Sequence, residues 1–263
     1  MKKNLPIANG VALAITIIIS YLSNTGVFGG NTMATIPAKY PTLFTPAGYA
    51  FSIWGLIYLG LLGFVLFAGR SLFGKDDGRV VMEQVGPWFL VSCLANSCWV
   101  LAWIYEYTGL SVLIMIVLFL SLLMIVLRTR MELTDPPLKT IAFVWWPFCL
   151  YSGWISVALI ANIAVYLSKI GWSGLGISET GWAIVMILIA GGIHLLMTWR
   201  RNMREFALVG AWALVAIGVA DHERAQSVAV VAFIVAGLLC VSSGLHGYRN
   251  RAFSPFRRRE RVL

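Results

Sequence analysis

Three apolar segments of this sequence carry large rings and side-chain amides at spacings of three, four or seven residues. Residues at these spacings share one face of a helix. The stripes are Phe51, Trp54 and Tyr58; Asn96, Trp99 and Trp103; and Tyr151, Trp154, Ala158 and Asn162, in which Ala158 continues the face between the ring and the amide. Aromatic faces stack on flat conjugated molecules, and a few polar groups can orient them. The pattern predicts a pocket for a bound ligand; alternatively, Trp and Tyr residues of this kind form belts at a membrane interface.

The two amides of these stripes allow a second interpretation. Asn96 lies about ten residues inside its apolar segment, and Asn162 lies five residues before the end of its segment. An amide facing lipid at that depth would be costly, so both are expected to point into a helix bundle. There they could orient a ligand, or they could simply hydrogen-bond between helices.

Acid–base chemistry is not suggested by these segments. Residues 48–68, 87–105, 111–127 and 144–167 contain no Asp, Glu, Lys, Arg or His. Proteases, proton relays and metal centres normally need such groups. None of the four cysteines forms a pair at ligand spacing, so no catalytic residue, disulfide or metal site is expected.

The composition indicates that the aromatic stripes belong to membrane-spanning helices. Of the 263 residues, 59% are hydrophobic and only 12% are charged, against about a quarter charged in soluble domains. We therefore expect an all-α polytopic membrane protein. A helix needs about 17–25 apolar residues to span a bilayer. Eight segments reach this length or nearly reach it, at about 5–22, 48–68, 87–105, 111–127, 144–167, 182–199, 206–220 and 228–247.

Basic residues support eight spans. With the N-terminus inside, 17 of the 20 Lys and Arg fall in inner segments, as the positive-inside rule requires. The expected location is the cell membrane, with both termini cytoplasmic. The net charge of +9 is then a topology signal, and the basic tail is expected to contact anionic lipids rather than nucleic acid.

The order of these motifs resembles the TspO/MBR family, the tryptophan-rich sensory proteins related to the mitochondrial translocator protein. The family's second helix carries Trp-x3-Tyr, matched by Trp54 and Tyr58. Its third helix carries Asn-x2-Trp, matched by Asn96 and Trp99. Its fifth helix carries Trp-x-Ser-x-Ala-x3-Asn, and the matching residues are Trp154, Ser156, Ala158 and Asn162.

The chain also departs from the family pattern. Leu150 stands where the family usually has a proline, and the entry to the second helix is Pro46-Ala47-Gly48 instead of a Pro-Pro with a nearby Trp. A cholesterol-type pattern around Tyr166 fails on spacing. Three further spans follow the part that resembles the family.

The resemblance implies a domain organisation and a ligand class. Residues 1–170 would form a five-helix unit, 171–247 three additional transmembrane helices, and 248–263 a basic cytoplasmic tail. Family members bind porphyrins and, in some cases, sterols or other hydrophobic molecules. No cofactor is required, although a porphyrin or haem-like tetrapyrrole could be bound, and a homodimer is one expected assembly.

The pocket is expected to open toward the long first loop, residues 23–47. Pro46 and Gly48 would turn this loop into the second helix and place Tyr49 beside the ligand, together with Phe51 and Trp54. His194, the only ionisable residue of the sixth span, could touch the ligand as an accessory residue or pack between helices.

Three functions are therefore compatible with the sequence. The first, which we favour, is a non-enzymatic binder or sensor of a tetrapyrrole-like ligand, which could also transport it. The second is a membrane enzyme that degrades a porphyrin photochemically or oxidatively, as is reported for some bacterial members of the family. The third is a scaffold or assembly subunit, which predicts a filled pocket and stripes that face lipid.

Overall fold

The chain folds into eleven α-helices over residues 4–250, the part that this computed structural model describes, apart from the side chain of Asp76. No strand occurs in that range. The first three residues and most of the predicted basic tail, residues 251–263, lie outside it.

The helices alternate with short turns. They are α1 (Asn4–Leu22), α2 (Thr35–Lys39), α3 (Ile53–Gly69), α4 (Asp76–Val85), α5 (Trp88–Ile104), α6 (Thr108–Arg128), α7 (Leu138–Thr140), α8 (Trp146–Lys169), α9 (Glu179–Arg201), α10 (Arg204–Asp221) and α11 (Gln226–Arg249). A 3₁₀ turn (Gly48–Ser52) leads into α3, and a π-helical turn (Ile141–Trp145) leads into α8.

Eight of these helices are long, and they match the eight predicted segments in order. By length and composition alone, six spans in the described residues can cross a membrane, namely those containing α1, α3, α6, α8, α9 and α11. With 17 residues, α5 qualifies only when joined to α4, from which it is bent by 58°. With 18 residues, α10 carries charged side chains at both ends and is not among these spans.

The bundle has two ends. At the first, which we call the loop end, the first loop meets α5 and α8: Asn31 donates to the backbone oxygen of Ile104, and Ser168 to that of Pro41. At the opposite or basic end, Arg128 donates to the Gln84 backbone and Asn202 to the Glu132 backbone. Most of the basic residues predicted to be cytoplasmic belong to connections at this second end.

α8 lies at the centre of the bundle, in contact with α3, α6, α9 and α10. Gly153 allows the close approach of α10, because a Cβ at this position would lie 3.0 Å from the backbone oxygen of Phe206. The long apolar helix α8 thus has neighbours from both the first five long helices and the last three.

The last three long helices pack through small residues. A Cβ at Gly191 of α9 would lie 2.5 Å from Val235 of α11, and one at Gly210 of α10 would lie 2.3 Å from the ring of His194. Close approach of this kind is the usual basis of helix packing in membranes, where lipid supplies no hydrophobic contrast.

Candidate functional site

The three aromatic stripes meet in one cluster. The ring of Trp54 on α3 stacks on Trp99 of α5 with centroids 6.4 Å apart, and Trp99 stacks on Trp103 at 6.2 Å. From α8, Tyr151 approaches Trp54 edge-on at 5.7 Å, and Trp154 approaches Phe51 at 5.8 Å. The three stripes therefore face one another inside the bundle.

A small cavity of about 40 Å³ lies beside this cluster. The first loop and the start of α3 contribute Met33, Pro37, Thr45, Pro46, Phe51 and Trp54 to its wall; α5 contributes Trp99 and Trp103; and α8 contributes Trp154, Val157, Ala158, Ala161, Asn162 and Val165. The lining holds no acidic or basic side chain. Because a single water needs about 10–15 Å³, the space accommodates a few waters.

Three polar side chains of the cavity wall, Trp99, Trp103 and Asn162, are hydrogen-bonded within the protein. The indole N–H of Trp99 donates to Asn162 Oδ1 at 2.8 Å, and Asn162 Nδ2 donates to Ser111 Oγ of α6 at 2.9 Å. The indole of Trp103 donates to the Met33 backbone oxygen at 3.4 Å. The cavity consequently presents mainly ring faces and aliphatic groups.

The first loop covers the cavity at the loop end and is held there by Glu106. This carboxylate, in the turn between α5 and α6, accepts hydrogen bonds from Lys39 at 2.6 Å, from Tyr40 at 2.8 Å and from Asn31 at 3.2 Å. The hydrogen bond from Lys39, followed by that from Tyr40, lowers the pKa of Glu106 to about 2. Lys169 of α8 donates to the Glu106 backbone oxygen, which ties a second helix to the same turn.

Six of the ten predicted ligand-binding residues line the cavity, and four do not. The six are Phe51, Trp54, Trp99, Trp103, Trp154 and Asn162. Tyr58 and Asn96 lie behind Trp54: Asn96 donates to the Tyr58 hydroxyl at 3.3 Å, and that hydroxyl pairs with Ser20 of α1 at 2.6 Å. Their amide and hydroxyl thus serve helix packing. The ring of Tyr151 supports Trp54 from the side.

Tyr49 and His194 lie away from the cavity; Tyr49 was expected beside the ligand, whereas His194 was expected either to touch the ligand or to pack between helices. Tyr49 packs edge-on against Trp212 of α10, with centroids 5.3 Å apart, because the 3₁₀ turn rotates it away from Phe51. His194 is buried between α9 and α10, where Nδ1 lies 2.7 Å from the Ala190 backbone oxygen and the ring packs on Phe206. Of its two predicted roles, the structure places it in helix packing.

Several cavity residues were not anticipated as ligand contacts. Val157, Ala161 and Val165 continue the face of Trp154 along α8 at helical spacing, so a longer stripe could have been drawn from the sequence. Met33, Pro37, Thr45 and Pro46 belong to the loop or its end, where no periodicity indicates which side chains point inward.

Together, the apolar helices and the inward-facing cluster define an α-helical, polytopic membrane protein with a small aromatic cavity. A model of the family described as TSPO-like protein matches residues 6–245, and the chain therefore belongs to that family. This places it among membrane-embedded proteins with a general binding or sensory role. No curated protein and no solved structure matches the chain.

The family match extends across all eight long helices. It thus includes α9, α10 and α11, and does not stop at residue 170. The division into a five-helix unit and three additional helices stays a prediction.

Proposed function

We propose that this protein binds a flat, hydrophobic ligand of the tetrapyrrole type in the aromatic cavity beneath the first loop, and acts as its sensor or carrier. The observation that carries the proposal is the shared cavity of Trp54, Trp99 and Trp154, which come from three different helices. Had these rings faced lipid separately, the stripes would indicate only membrane anchoring.

The chemistry of the cavity wall favours an apolar ligand. Its Asn162 amide is already hydrogen-bonded to Trp99 and Ser111, so few polar groups are left to bind a ligand. Affinity would come from burial of apolar area and from ring stacking. Charged substituents of the ligand would be placed best at the loop end, near Lys39 and Lys169.

The cavity must enlarge before a macrocycle can enter. Its present volume of about 40 Å³ suits a few waters. Trp54, Trp99 and Trp103 stack on one another, and a ligand would take the place of some of these ring contacts. Opening would require the first loop to move, since it forms the roof of the cavity and its hydrogen bonds to Glu106 lie at the end of the bundle.

Quenching of tryptophan fluorescence by a porphyrin tests this proposal. We expect Trp54→Phe and Trp154→Phe to weaken binding by up to about tenfold, because each replaces an indole by a smaller ring and loses part of a stacking contact worth about 0.5–1.5 kcal/mol. Trp172→Phe is the matched control, since Trp172 packs on Trp182 outside the cavity. Equal affinity in the wild type and both cavity variants would refute the site.

The enzyme and scaffold hypotheses predict different results. A photochemical or oxidative enzyme would convert the bound porphyrin to a new product, under illumination in the first case. A scaffold subunit would keep the cavity filled by its own rings, bind no porphyrin, and purify with partner subunits in mild detergent. The small volume of the cavity is the observation that favours the scaffold, whereas the inward direction of the stripes does not fit it.

We further propose that the basic end faces the cytoplasm of the cell membrane, with both termini on that side. Of the 20 Lys and Arg, 17 belong to segments assigned to this side, and such an excess sets orientation. Single cysteines placed at Asn24 and at Asn250 in a cysteine-free variant test it. An impermeant thiol reagent applied to intact cells should label the first and spare the second.

A further inference from the structure

A group of side chains suited to metal binding lies at the basic end, away from the aromatic cavity. Glu132 belongs to the connection between α6 and α7, Cys149 to the first turn of α8, and Glu205 to the first turn of α10. One ligand atom from each lies within 4.8 Å of the other two. Three segments distant in sequence thus bring a thiol and two carboxylates together.

The thiol of this group has a second sulfur atom beside it. Cys149 is fully buried, and its thiol lies 3.5 Å from the thioether sulfur of Met131, which is also fully buried. A thiolate with carboxylate ligands suits a borderline divalent ion such as Zn²⁺, whereas Mg²⁺ and Ca²⁺ prefer oxygen alone.

A second observation also indicates a missing partner. Glu205 Oε2 is buried and has no hydrogen-bond donor among residues 4–250. A carboxylate oxygen withdrawn from water in this way is costly unless something compensates it. The position of Glu205 at the start of α10 suits the helix dipole, but this does not explain why Glu132 and Cys149 converge on it.

The nearby arginines do not supply the compensation directly. Arg201 ends α9 and Arg204 begins α10, yet neither forms an ion pair with Glu132 or Glu205 in the described residues. Their buried Nε atoms also have no acceptor there. The carboxylates of Glu132 and Glu205 have oxygen atoms within 4.8 Å of each other. Two carboxylates so placed are difficult to ionise together.

We propose that Glu132, Cys149 and Glu205 form a binding site for a thiophilic divalent cation of the zinc class. Three protein ligands would leave a fourth position for water. The Cys149 thiol gives up its proton to solvent as the sulfur–metal bond forms, so uptake releases a proton. Arg201 and Arg204 reduce the local negative charge and therefore limit the affinity. The site differs from the sequence-based expectation of no metal, because its ligands have no common spacing.

Binding of Co²⁺, a spectroscopic substitute for Zn²⁺, tests the site in the full-length protein in detergent after treatment with a chelator. The wild type is expected to bind one Co²⁺ per chain, with thiolate-to-metal absorption in the near ultraviolet that Zn²⁺ displaces. Cys149→Ser should abolish this absorption, and Glu205→Gln should weaken binding at least about tenfold. Cys240→Ser is the matched control, because Cys240 is exposed on α11.

The result that overturns the proposal is a wild type without thiolate absorption, or one whose absorption survives Cys149→Ser. Since Cys149 is buried, its variant could lose the fold, which thermal unfolding would reveal. Glu132→Gln, in a connecting segment, then decides the question: binding weakened at least about tenfold supports the site, and unchanged binding overturns it.

Discussion

Trp99 donates its indole N–H to the side-chain oxygen of Asn162 over 2.8 Å, and this hydrogen bond joins α5 to α8 at the wall of the aromatic cavity. The amide of Asn162 in turn donates to Ser111 of α6. A single buried side chain therefore connects three helices and fixes the plane of one cavity ring. The site is shaped by a polar contact, although it presents mainly apolar surface.

Replacing this amide should destabilise the bundle. Asn162→Leu keeps a similar volume but leaves the indole of Trp99 without its acceptor, and an unpaired buried donor costs about 1–3 kcal/mol. Thermal unfolding in detergent would show the loss as a lower midpoint. Asn24→Ala is the control, because Asn24 is exposed beyond the end of α1. A midpoint for Asn162→Leu equal to that of the wild type would show that the network does not hold the helices.

Two glycines of the last three helices should respond oppositely to the same substitution. Gly210→Ala places a methyl group 2.3 Å from the buried ring of His194, so α9 and α10 must separate. We expect a loss of about 1–3 kcal/mol. Gly192→Ala meets no atom within 4 Å and should stabilise α9 by up to about 1 kcal/mol. The two unfolding midpoints, measured side by side, check this, and a common value would contradict the close packing.

The attachment of the first loop should depend on Glu106. Glu106→Gln removes the ion pair with Lys39 and weakens the acceptor used by Tyr40. Amide hydrogen exchange over residues 31–40 is expected to become faster. Glu223→Gln is the control, since Glu223 is 83% exposed and its carboxylate faces His222 instead of Lys39 or Tyr40. Unaltered exchange in Glu106→Gln would mean that backbone contacts alone hold the roof.

Protonation of Glu106 should determine the pH below which the first loop is held less firmly. The hydrogen bonds from Lys39 and Tyr40 depress the pKa of Glu106 from 4.5 to about 2. A depressed carboxyl pKa stabilises the folded form above the unfolded pKa, and this contribution is lost as the pH falls through the folded value. Exchange protection of the loop, corrected for intrinsic rates, should therefore be constant from about pH 5 to 8 and decline only between about pH 4.5 and 2. A decline already beginning near pH 6 would contradict this assignment.

Local patterns accounted for most of the helices and part of the site. Continuous apolar segments marked the eight long helices because a spanning helix must be apolar over its length. Spacings of three and four residues indicated the inward direction of Trp54, Trp99 and Trp154, because those residues lie within regular α-helix; their role as ligand contacts stays a prediction. Tyr49 was misplaced because it lies in a 3₁₀ turn, whose three residues per turn rotate side chains differently.

Local sequence patterns do not predict contacts between segments that are distant in sequence. Met33 and Pro37 reach the cavity because the first loop folds back over it, and no periodicity in a loop indicates this. Likewise, Glu132, Cys149 and Glu205 are separated by whole helices, and only the packing of α8 beside α10 brings them together.

The central claim is that the apolar cavity beneath the first loop accepts a flat hydrophobic ligand. Ala161→Leu tests it most directly, because the longer side chain fills the space beside Trp154 without removing any ring. The measurement is the absorption spectrum of the protein after incubation with a porphyrin and removal of free pigment. Ala14→Leu, on the exposed face of α1, is the matched control. We predict stoichiometric pigment in the wild type and the control and little in Ala161→Leu; equal pigment in all three, or none in the wild type, would contradict the account.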